Sequence, residues 1–348
     1  MKGNEALSEA AIQAGCAAFF GYPITPQNEI PEYLSLRMVQ ENRVFVQAES
    51  EVAAINMVYG AAAAGKRVMT SSSSPGIALK QEGISFCAGA DLPCVIVSVS
   101  RCGPGLGGIL PSQADYFQAT RGGGNGDYYS VVYAPSSIQE LADLTQKAFD
   151  IADIYRTPVT VLLDGALAQM MEPVEIKKTE RPANVDLSWV TDGNTKNRSR
   201  NKITSLALSA GPLEQKNKDR FARYAEITEK EVQYDCTVQD GDEIAIVAYG
   251  LAARIAVNAI EELKAQGIKA GLIRPITLWP FPKVAFDNLP GSVKNILVAE
   301  LSMGQMIEDV KLSVLGKTPV HLVNRCGGSV FSSAEVAEAA KQIVKGGQ

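Results

Sequence analysis

Residues 43–68, RVFVQAESEVAAINMVYGAAAAGKRV, contain the pattern that decides the fold: a short β-branched strand, a carboxylate and a helix of small residues. The helix predicted to begin at Glu51 ends at Gly65, and an apolar run follows it. A strand, a helix and a second strand in this order form the βαβ unit of a mostly parallel sheet. A carboxylate at a helix N-terminus is favoured by the helix dipole, so Glu51 is a candidate capping acid, and Glu49 is equally suited to that role.

The same alternation extends on both sides of this stretch. Apolar, β-branched runs predict further strands at residues 18–23, 67–73, 93–100 and 157–164, with longer helical segments between them. Residues 138–155 carry the clearest helical stripe, and Pro135, Ser136 and Ser137 open the predicted helix. We therefore predict an α/β domain over residues 1–173.

Composition changes beyond that domain. Residues 174–240 are polar and basic with little strand pattern, which predicts a linker or surface insertion, with contact to an acidic partner as the alternative to a solvated surface. The α/β alternation returns afterwards and predicts a smaller open α/β domain over residues 241–348.

Charge and chain composition exclude several classes of function. The 348 residues include 33 basic and 38 acidic side chains, a formal net charge of −5, so we expect no nucleic-acid partner. The apolar runs are too short to cross a bilayer, and the first ten residues lack the apolar core of a signal peptide, so we expect a cytoplasmic protein without a membrane partner. His321 is the only histidine, and the six cysteines form no C-x-x-C pair. A histidine-rich zinc site is thereby excluded, iron–sulfur ligation is not indicated, and free thiols and a packed or hydrogen-bonded His321 are predicted.

One glycine-rich motif has the spacing of a dinucleotide-binding fingerprint. Gly103, Gly105 and Gly108 match G-x-G-x-x-G directly after a predicted strand. A dinucleotide fingerprint opens a helix and is followed about 20 residues later by an acidic residue at a strand end, whereas ILPSQADY follows here. Nicotinamide binding is therefore not predicted.

The stretch around Glu51 resembles the pyrimidine-binding domain of thiamine diphosphate enzymes. Longer motifs narrow the resemblance: GYPITPQNEIPEYL at 21–34, QAESEVAAIN at 47–56, SSSSPGIALKQEGISF at 71–86, SRCGPGLGGILPSQADYFQATRGGGNGD at 100–127, RPITLWPFP at 274–282 and NRCGG at 324–328. Together they are similar to the alpha subunit of 2-oxoacid:ferredoxin oxidoreductases, most of all to the 2-oxoisovalerate type. The resemblance implies a thiamine diphosphate-binding, pyrimidine-domain fold followed by an open α/β domain like the C-terminal domain of transketolase.

The resemblance also assigns roles to individual residues. Glu51 matches the glutamate that hydrogen-bonds the aminopyrimidine, Thr25 the threonine beside the 2-oxoacid, and Arg101 the arginine facing the substrate carboxylate. Without the resemblance, Thr25 is a turn residue and Arg101 a member of a surface ion pair. Further residues match the loops that pass near the cofactor: Pro23, Ser74, Pro75 and Gly76. For residues 74–76 a plain strand-to-helix turn is the alternative, and no residue is assigned as a metal ligand.

Two positions depart from the family pattern. Cys102 stands where relatives usually have glycine, which predicts a reshaped loop beside Arg101. Asn125 stands where relatives tend to have histidine, and an amide cannot exchange a proton near neutral pH, so any acid–base role of that loop is in doubt.

Half of the active site is expected on another polypeptide. The chain lacks the GDG motif that anchors Mg²⁺ and the diphosphate in thiamine diphosphate enzymes. The resemblance implies a beta subunit with Mg²⁺ and the diphosphate site, a gamma subunit and a ferredoxin-like iron–sulfur subunit, and it leaves homodimerisation open. The implied reaction converts a 2-oxoacid and coenzyme A to acyl-CoA with reduction of ferredoxin. The same chemistry on 2-oxoglutarate or pyruvate, and a non-catalytic assembly or regulatory subunit, remain alternatives.

Overall fold

The computed structural model describes residues 1–193 and 199–346, which form two sheets flanked by helices. The first sheet begins with six parallel strands: β1 (Ala18–Gly21), β2 (Val44–Gln47), β3 (Val68–Ser73), β4 (Cys94–Ser100), β5 (Val131–Tyr133) and β6 (Pro158–Asp164). Their order across the sheet is β5-β6-β4-β3-β1-β2. The three central strands β3, β4 and β6 are buried along their whole length, as expected for a parallel sheet covered on both faces.

Eight helices accompany this sheet: α1 (Gly3–Gln13), α2 (Glu29–Gln40), α3 (Glu51–Ala63), α4 (Ser74–Gly89), α5 (Tyr116–Arg121), α6 (Ile138–Tyr155), α7 (Gly165–Gln169) and α8 (Ala210–Lys230). The predicted start of α6 is capped, since the Ser137 side chain accepts a hydrogen bond from the Glu140 N–H. Edge strand β2 is the least buried strand of the parallel set, because only β1 pairs with it.

The second sheet has five strands in the order β12-β11-β8-β9-β7. They are β7 (Tyr234–Cys236), β8 (Ile244–Val247), β9 (Ala270–Pro275), β11 (Asn295–Glu300) and β12 (Val320–Asn324), with β7 antiparallel to β9. Its helices are α9 (Gly250–Ala265), α10 (Val284–Asp287), α11 (Met306–Val314) and α12 (Ser333–Gly346). The α/β class predicted from the alternation is therefore confirmed.

Two strands cross the domain limits predicted from composition. Strand β10 (Thr277–Trp279) belongs in sequence to the predicted C-terminal domain, but it pairs antiparallel with β5 of the first sheet. Strand β7 falls within the predicted linker and joins the second sheet. One apolar cluster also spans both sheets, with Tyr116 and Val132 packed together with Val247 and Phe281. The two sheets are thus joined by a shared core, although the limits at 173 and 240 remain predictions.

The polar segment 174–240 also contains a helix that its composition did not predict. Helix α8 places Tyr224 and Ile227 in the core of the first sheet, and the Tyr224 hydroxyl lies 3.0 Å from the Tyr129 carbonyl oxygen. These two apolar residues lie three positions apart on one face of an otherwise charged helix. Because the composition of the whole segment is polar, it did not reveal this narrow apolar face. Residues 194–198 of this segment lie outside the described part of the chain.

The predictions about cysteine and histidine agree with the structure. All six cysteines are free thiols. His321 is half-buried on β12, and its Nε2 lies 3.0 Å from the Asn295 side-chain oxygen, so it is a hydrogen-bonded imidazole. Within the described residues no helix has both the length and the apolar character needed to cross a membrane.

Candidate active site

The residues singled out from the sequence follow four neighbouring strands of the first sheet. Thr25 comes after β1, Glu51 after β2, Ser74 after β3 and Arg101 after β4, and these strands are adjacent in the order β4-β3-β1-β2. The carboxyl ends of parallel strands meet at one edge of the sheet. The fold therefore brings the four residues to the same edge.

Glu51 is the first residue of α3 but does not cap it. The Ser50 side chain fills that role by accepting a hydrogen bond from the Ala53 N–H at 3.2 Å. Glu49 is exposed, whereas Glu51 is 7% exposed, and its carboxylate accepts no hydrogen bond from any residue that the structure describes. Glu51 therefore lies in the first turn of α3, where the helix dipole favours a carboxylate, but it is not the hydrogen-bonding cap, and its carboxylate is available to a donor from outside the chain.

Gly76 forms the wall against which the Glu51 carboxylate packs. A Cβ atom at residue 76 would lie 2.7 Å from Glu51 Oε1 and 2.1 Å from Ser72 Oγ, so a larger residue there would displace one or both of these side chains. Ser74, Pro75 and Gly76 are not part of a loop, because α4 begins at Ser74 and the three residues form its first turn. The Ser72 and Ser73 hydroxyl groups beside this turn are buried and have no hydrogen-bond partner in the part of the chain that the structure describes.

Arg101 is buried and reaches across β3 towards the loop after β1. Its Nη1 donates to the Thr25 carbonyl oxygen at 3.0 Å, and its Nη2 donates to the Leu106 carbonyl oxygen at 3.0 Å. The remaining nitrogen, Nε, is buried without a partner. The alternative of a surface ion pair is therefore wrong, since Arg101 forms no salt bridge with the described residues and is 7% exposed.

The loop after β1 holds Thr25 and Pro23. The Thr25 hydroxyl oxygen accepts a hydrogen bond from Asn28 Nδ2 at 3.4 Å. Buried Gln27 fixes the loop, because its Nε2 donates to the Tyr22 carbonyl and its Oε1 accepts from Ser71 Oγ on β3 at 2.5 Å. Pro23 lies exposed on the same loop.

Asp115 is a site residue that the sequence analysis missed. Its Oδ2 accepts a hydrogen bond from Ser74 Oγ at 2.5 Å, and Ser74 Oγ also accepts from the Arg101 backbone N–H at 2.9 Å. Burial raises the pKa of the Asp115 carboxyl, while hydrogen bonds from Ser74 and Ser100 and the charge of Arg101 oppose that rise. Its signal in the sequence was an acid inside the motif at residues 100–127.

Lys80 was also missed. The side chain is completely buried, and its Nζ donates to Thr70 Oγ1 at 2.8 Å and to the Ser71 carbonyl oxygen at 3.2 Å. Burial lowers the pKa of Lys80 to about 7, and the negative charge of Glu51 acts in the opposite direction. The sequence signal was a lysine four residues after Gly76, which puts both residues on one face of α4.

The two departures from the family pattern lie in different surroundings. Cys102 is buried beside Arg101, and its backbone binds Leu110 and Gly108 within the glycine-rich loop. Asn125 is exposed, and its side-chain oxygen accepts a hydrogen bond from the Gly126 N–H at 3.1 Å. The predicted effects of either substitution on the chemistry remain predictions.

The residues at this edge fit one half of a thiamine diphosphate site. An unpartnered, nearly buried carboxylate suits a heterocycle that shares a proton with it, and Gly76, which has no side chain, lets that carboxylate pack against the first turn of α4. In the described part of the chain no group of three or more histidine, cysteine or acidic side chains is arranged to hold a metal ion.

Two family models match nearly the whole chain. Residues 9–236 match the model described as pyruvate flavodoxin/ferredoxin oxidoreductase, thiamine diphosphate-binding, and residues 242–336 match pyruvate:ferredoxin oxidoreductase core domain II. The first match covers α3, its Glu51 and the strands that surround it. These models confirm the resemblance stated from the motifs.

Individual relatives agree with these models. The chain is 49% identical to ketoisovalerate oxidoreductase subunit VorB of Methanothermobacter thermautotrophicus, over 99% of this chain and 97% of that one. It is 34% identical to 2-oxoglutarate synthase subunit KorA of Archaeoglobus fulgidus, over 99% and 98%.

Solved structures extend the comparison to the fold. The 2-oxoglutarate:ferredoxin oxidoreductase of Magnetococcus marinus superimposes with a TM-score of 0.88 at 26% identity, and the match covers 99% of this chain but 65% of that longer chain. A split-gene transketolase shares the fold alone, with a TM-score of 0.61 and 14% identity over 99% of this chain and 98% of that one. The expected thiamine diphosphate and transketolase-like architecture is thereby confirmed. By its sequence models, its relatives and its fold, the chain belongs to the 2-oxoacid:ferredoxin oxidoreductase family and contains that family's thiamine diphosphate-binding domain.

Proposed function

We propose that this chain is the alpha subunit of an enzyme that oxidatively decarboxylates 2-oxoisovalerate, a branched-chain 2-oxoacid, to acyl-CoA and reduces ferredoxin. The observation that carries the proposal is the Glu51 carboxylate, nearly buried and unpartnered at the edge where Thr25, Ser74 and Arg101 meet. The similarity to a ketoisovalerate oxidoreductase subunit supports the choice of substrate.

Glu51 acts on the cofactor in this proposal. Thiamine diphosphate, when bound, supplies the carbanion chemistry that decarboxylation requires. The Glu51 carboxylate accepts and returns a proton at the aminopyrimidine ring, and its low exposure excludes competing water. Pro23 and the first turn of α4, with Ser74, Pro75 and Gly76, form the walls beside that ring.

Arg101 and Thr25 orient the substrate. A guanidinium has five N–H donors, and the two bonds to backbone carbonyls leave Nε available for the carboxylate of the 2-oxoacid. Because Asn28 donates to the Thr25 hydroxyl oxygen, the Thr25 hydroxyl proton is free to donate to the oxoacid. Asp115 fixes Ser74, which in turn binds the backbone of Arg101.

Partner subunits complete the enzyme. We assign Mg²⁺ and the diphosphate to a beta subunit, electron transfer to iron–sulfur clusters of a ferredoxin-like subunit, and assembly contacts to a gamma subunit and a second copy of this chain. The complex would act in the cytoplasm. The isolated chain would bind thiamine diphosphate weakly, so a dissociation constant below about 1 μM for the chain alone would contradict this division.

Two alternatives to this function also have support. The similarity to 2-oxoglutarate synthase subunits supports 2-oxoglutarate as a substrate, with pyruvate as a third 2-oxoacid. A non-catalytic assembly or regulatory subunit is the alternative from another class, and Asn125 and Cys102 are the positions that favour it.

Initial rates of the assembled enzyme on the three 2-oxoacids test the proposal. We expect 2-oxoisovalerate to have the highest kcat/KM and Glu51→Gln to abolish turnover of all three. Glu49→Gln is the matched control, since Glu49 is exposed two residues away. Full activity of Glu51→Gln would refute the catalytic proposal, whereas a preference for another 2-oxoacid would change only the substrate.

A further inference from the structure

The proposed mechanism leaves one buried charge unexplained. Lys80 is completely buried, and its long side chain runs between α4 and β3. Burying an ammonium group is unfavourable unless its charge is compensated, and both of its hydrogen-bond partners, Thr70 Oγ1 and the Ser71 carbonyl, are neutral. No carboxylate among the described residues lies within 4.0 Å of its Nζ. A packing role alone does not require a lysine at this position.

The geometry directs Lys80 towards Glu51. Side chains on a helix incline towards its N-terminus, so Lys80 leans along α4 towards Gly76, one turn earlier on the same face. Gly76 is the residue against which Glu51 Oε1 packs. On β3, Thr70 and Ser72 point to the same face, with Thr70 bound to Lys80 Nζ and Ser72 Oγ in contact with Gly76. A buried polar strip thus connects the lysine with the carboxylate.

We propose that Lys80 is a positioning residue that acts on Glu51 through its charge, favouring the ionised carboxylate that receives a proton when the cofactor binds. This inference rests on the proposed role of Glu51. Two hydrogen bonds to β3 hold the Lys80 ammonium group away from the Glu51 carboxylate, so the two groups do not form a direct salt bridge. The carboxylate therefore gains the attraction of a cation and stays free for the cofactor.

The charge of Lys80 responds to pH in the neutral range. Burial lowers its pKa to about 7, and Glu51 is the titratable group whose charge opposes this effect. Residues of β3 that face it, Thr70 and Ser71, carry no charge. The influence of Lys80 on Glu51 is therefore expected to be strongest below about pH 7 and to fade above it.

Proton uptake on cofactor binding tests the inference without relying on turnover. The assembled enzyme, depleted of cofactor, is titrated with thiamine diphosphate and Mg²⁺ by calorimetry in two buffers of different ionisation enthalpy. At about pH 6.5 we expect Lys80→Met to differ from the wild type in the number of protons taken up, because the cation that acts on the Glu51 carboxylate is absent. At about pH 8.5 the difference is expected to shrink.

Activity gives a second readout. We expect Lys80→Met to lower kcat about tenfold while KM for the 2-oxoacid changes less than about twofold, since Lys80 does not touch the substrate. Thr70→Val, which keeps the charge but removes one of its two hydrogen bonds, is expected to have a smaller effect. Lys264→Met, on the exposed face of α9, is the control for loss of a lysine charge and is expected to match the wild type.

The Glu51→Gln background separates the two proposals. There, Lys80→Met is expected to cause no further change in proton uptake. Equal uptake by wild type and Lys80→Met at about pH 6.5, with Glu51→Gln still inactive, would overturn the role of Lys80 alone. Full activity of Glu51→Gln would overturn the proposed function as well.

Discussion

Two buried glutamates, one beside each sheet, differ in how their carboxylates are used. Glu300 ends β11, is completely buried, and accepts hydrogen bonds from the Ser302 hydroxyl and from the N–H groups of residues 305–307 at the start of α11. Glu51 follows β2 at the start of α3 and accepts none. Each carboxylate lies beside a helix N-terminus, but only the Glu300 carboxylate accepts hydrogen bonds from the backbone N–H groups there.

The contrast extends beyond these two residues. The buried side-chain polar atoms without a partner that the structure describes all lie in residues 4–233, and those of Ser72, Ser73 and Arg101 lie at the carboxyl edge of the first sheet. A buried polar atom without a partner costs stability, so such atoms collect where a ligand or another chain supplies the missing bond. The comparison indicates which buried polar groups are satisfied within the chain, at the second edge, and which are left for a ligand under the proposed function, at the first.

The largest expected effect comes from Glu51→Gln. This change keeps the shape of the side chain but removes its capacity to exchange a proton, so we expect kcat of the assembled enzyme to fall at least about 100-fold. The melting temperature is expected to stay within about 2 °C, because no hydrogen bond within the chain is lost. Steady-state kinetics and calorimetry on the same preparation measure both quantities, and a large loss of stability would assign Glu51 to the same class as Glu300.

Glu300→Ala is expected to produce the opposite result. It leaves the first N–H groups of α11 buried without an acceptor, so the free energy of unfolding should fall by about 3 kcal/mol. Glu261→Ala on the exposed face of α9 is the control, with an expected change below about 0.5 kcal/mol. Denaturant unfolding of the full chain makes the measurement, and an unchanged midpoint for Glu300→Ala would remove the contrast between the two edges.

Gly76→Ala tests whether the position of the Glu51 carboxylate limits the reaction. The added methyl group would collide with Ser72 Oγ and Glu51 Oε1, so we expect the carboxylate to shift and kcat to fall about tenfold. Gly60→Ala in α3 is the matched control, because its Cβ meets nothing within 4 Å and alanine favours a helix. Kinetic values for Gly76→Ala equal to those of Gly60→Ala would mean that the carboxylate position does not limit the reaction.

The smallest expected effect concerns the pH dependence of stability. The pKa of Lys80 is lowered from 10.5 to about 7 in the folded chain, so the unfolded chain binds more protons between these values, and stability rises with pH over that window. Lys80→Met should lack this rise between about pH 7 and pH 9. Melting temperatures of both chains across that range measure the difference, and parallel curves would show that Lys80 titrates in the folded chain as it does in water.

Much of the fold was predictable because its signals are local. The alternation of apolar strands with helices and the start of α6 rest on residues close together in the chain, whereas the choice of Glu51 over Glu49 came from the family resemblance. Strand β10 could not be predicted in this way. Its Trp279 pairs with Val132 of β5, and no short-range pattern specifies a partner so distant in sequence.

The site was predictable in part for the same reason. Motifs predicted residues that approach a ligand, but they did not predict those that support them from the interior. Asp115 and Lys80 act through contacts with Ser74 and β3 that depend on how separate elements pack. A lysine on the glycine-bearing face of α4 was a usable signal, but only tertiary structure identifies its neighbours.

Hydrogen–deuterium exchange at the reactive thiazolium carbon of thiamine diphosphate tests the central claim most directly. It is measured by NMR after acid quench, on the assembled enzyme without 2-oxoacid, for the wild type, Glu49→Gln and Glu51→Gln. If the Glu51 carboxylate activates the cofactor, Glu51→Gln lowers the exchange rate at least about 100-fold, and Glu49→Gln leaves it unchanged. An exchange rate in Glu51→Gln equal to that of the wild type, with the cofactor fully bound, would contradict the account.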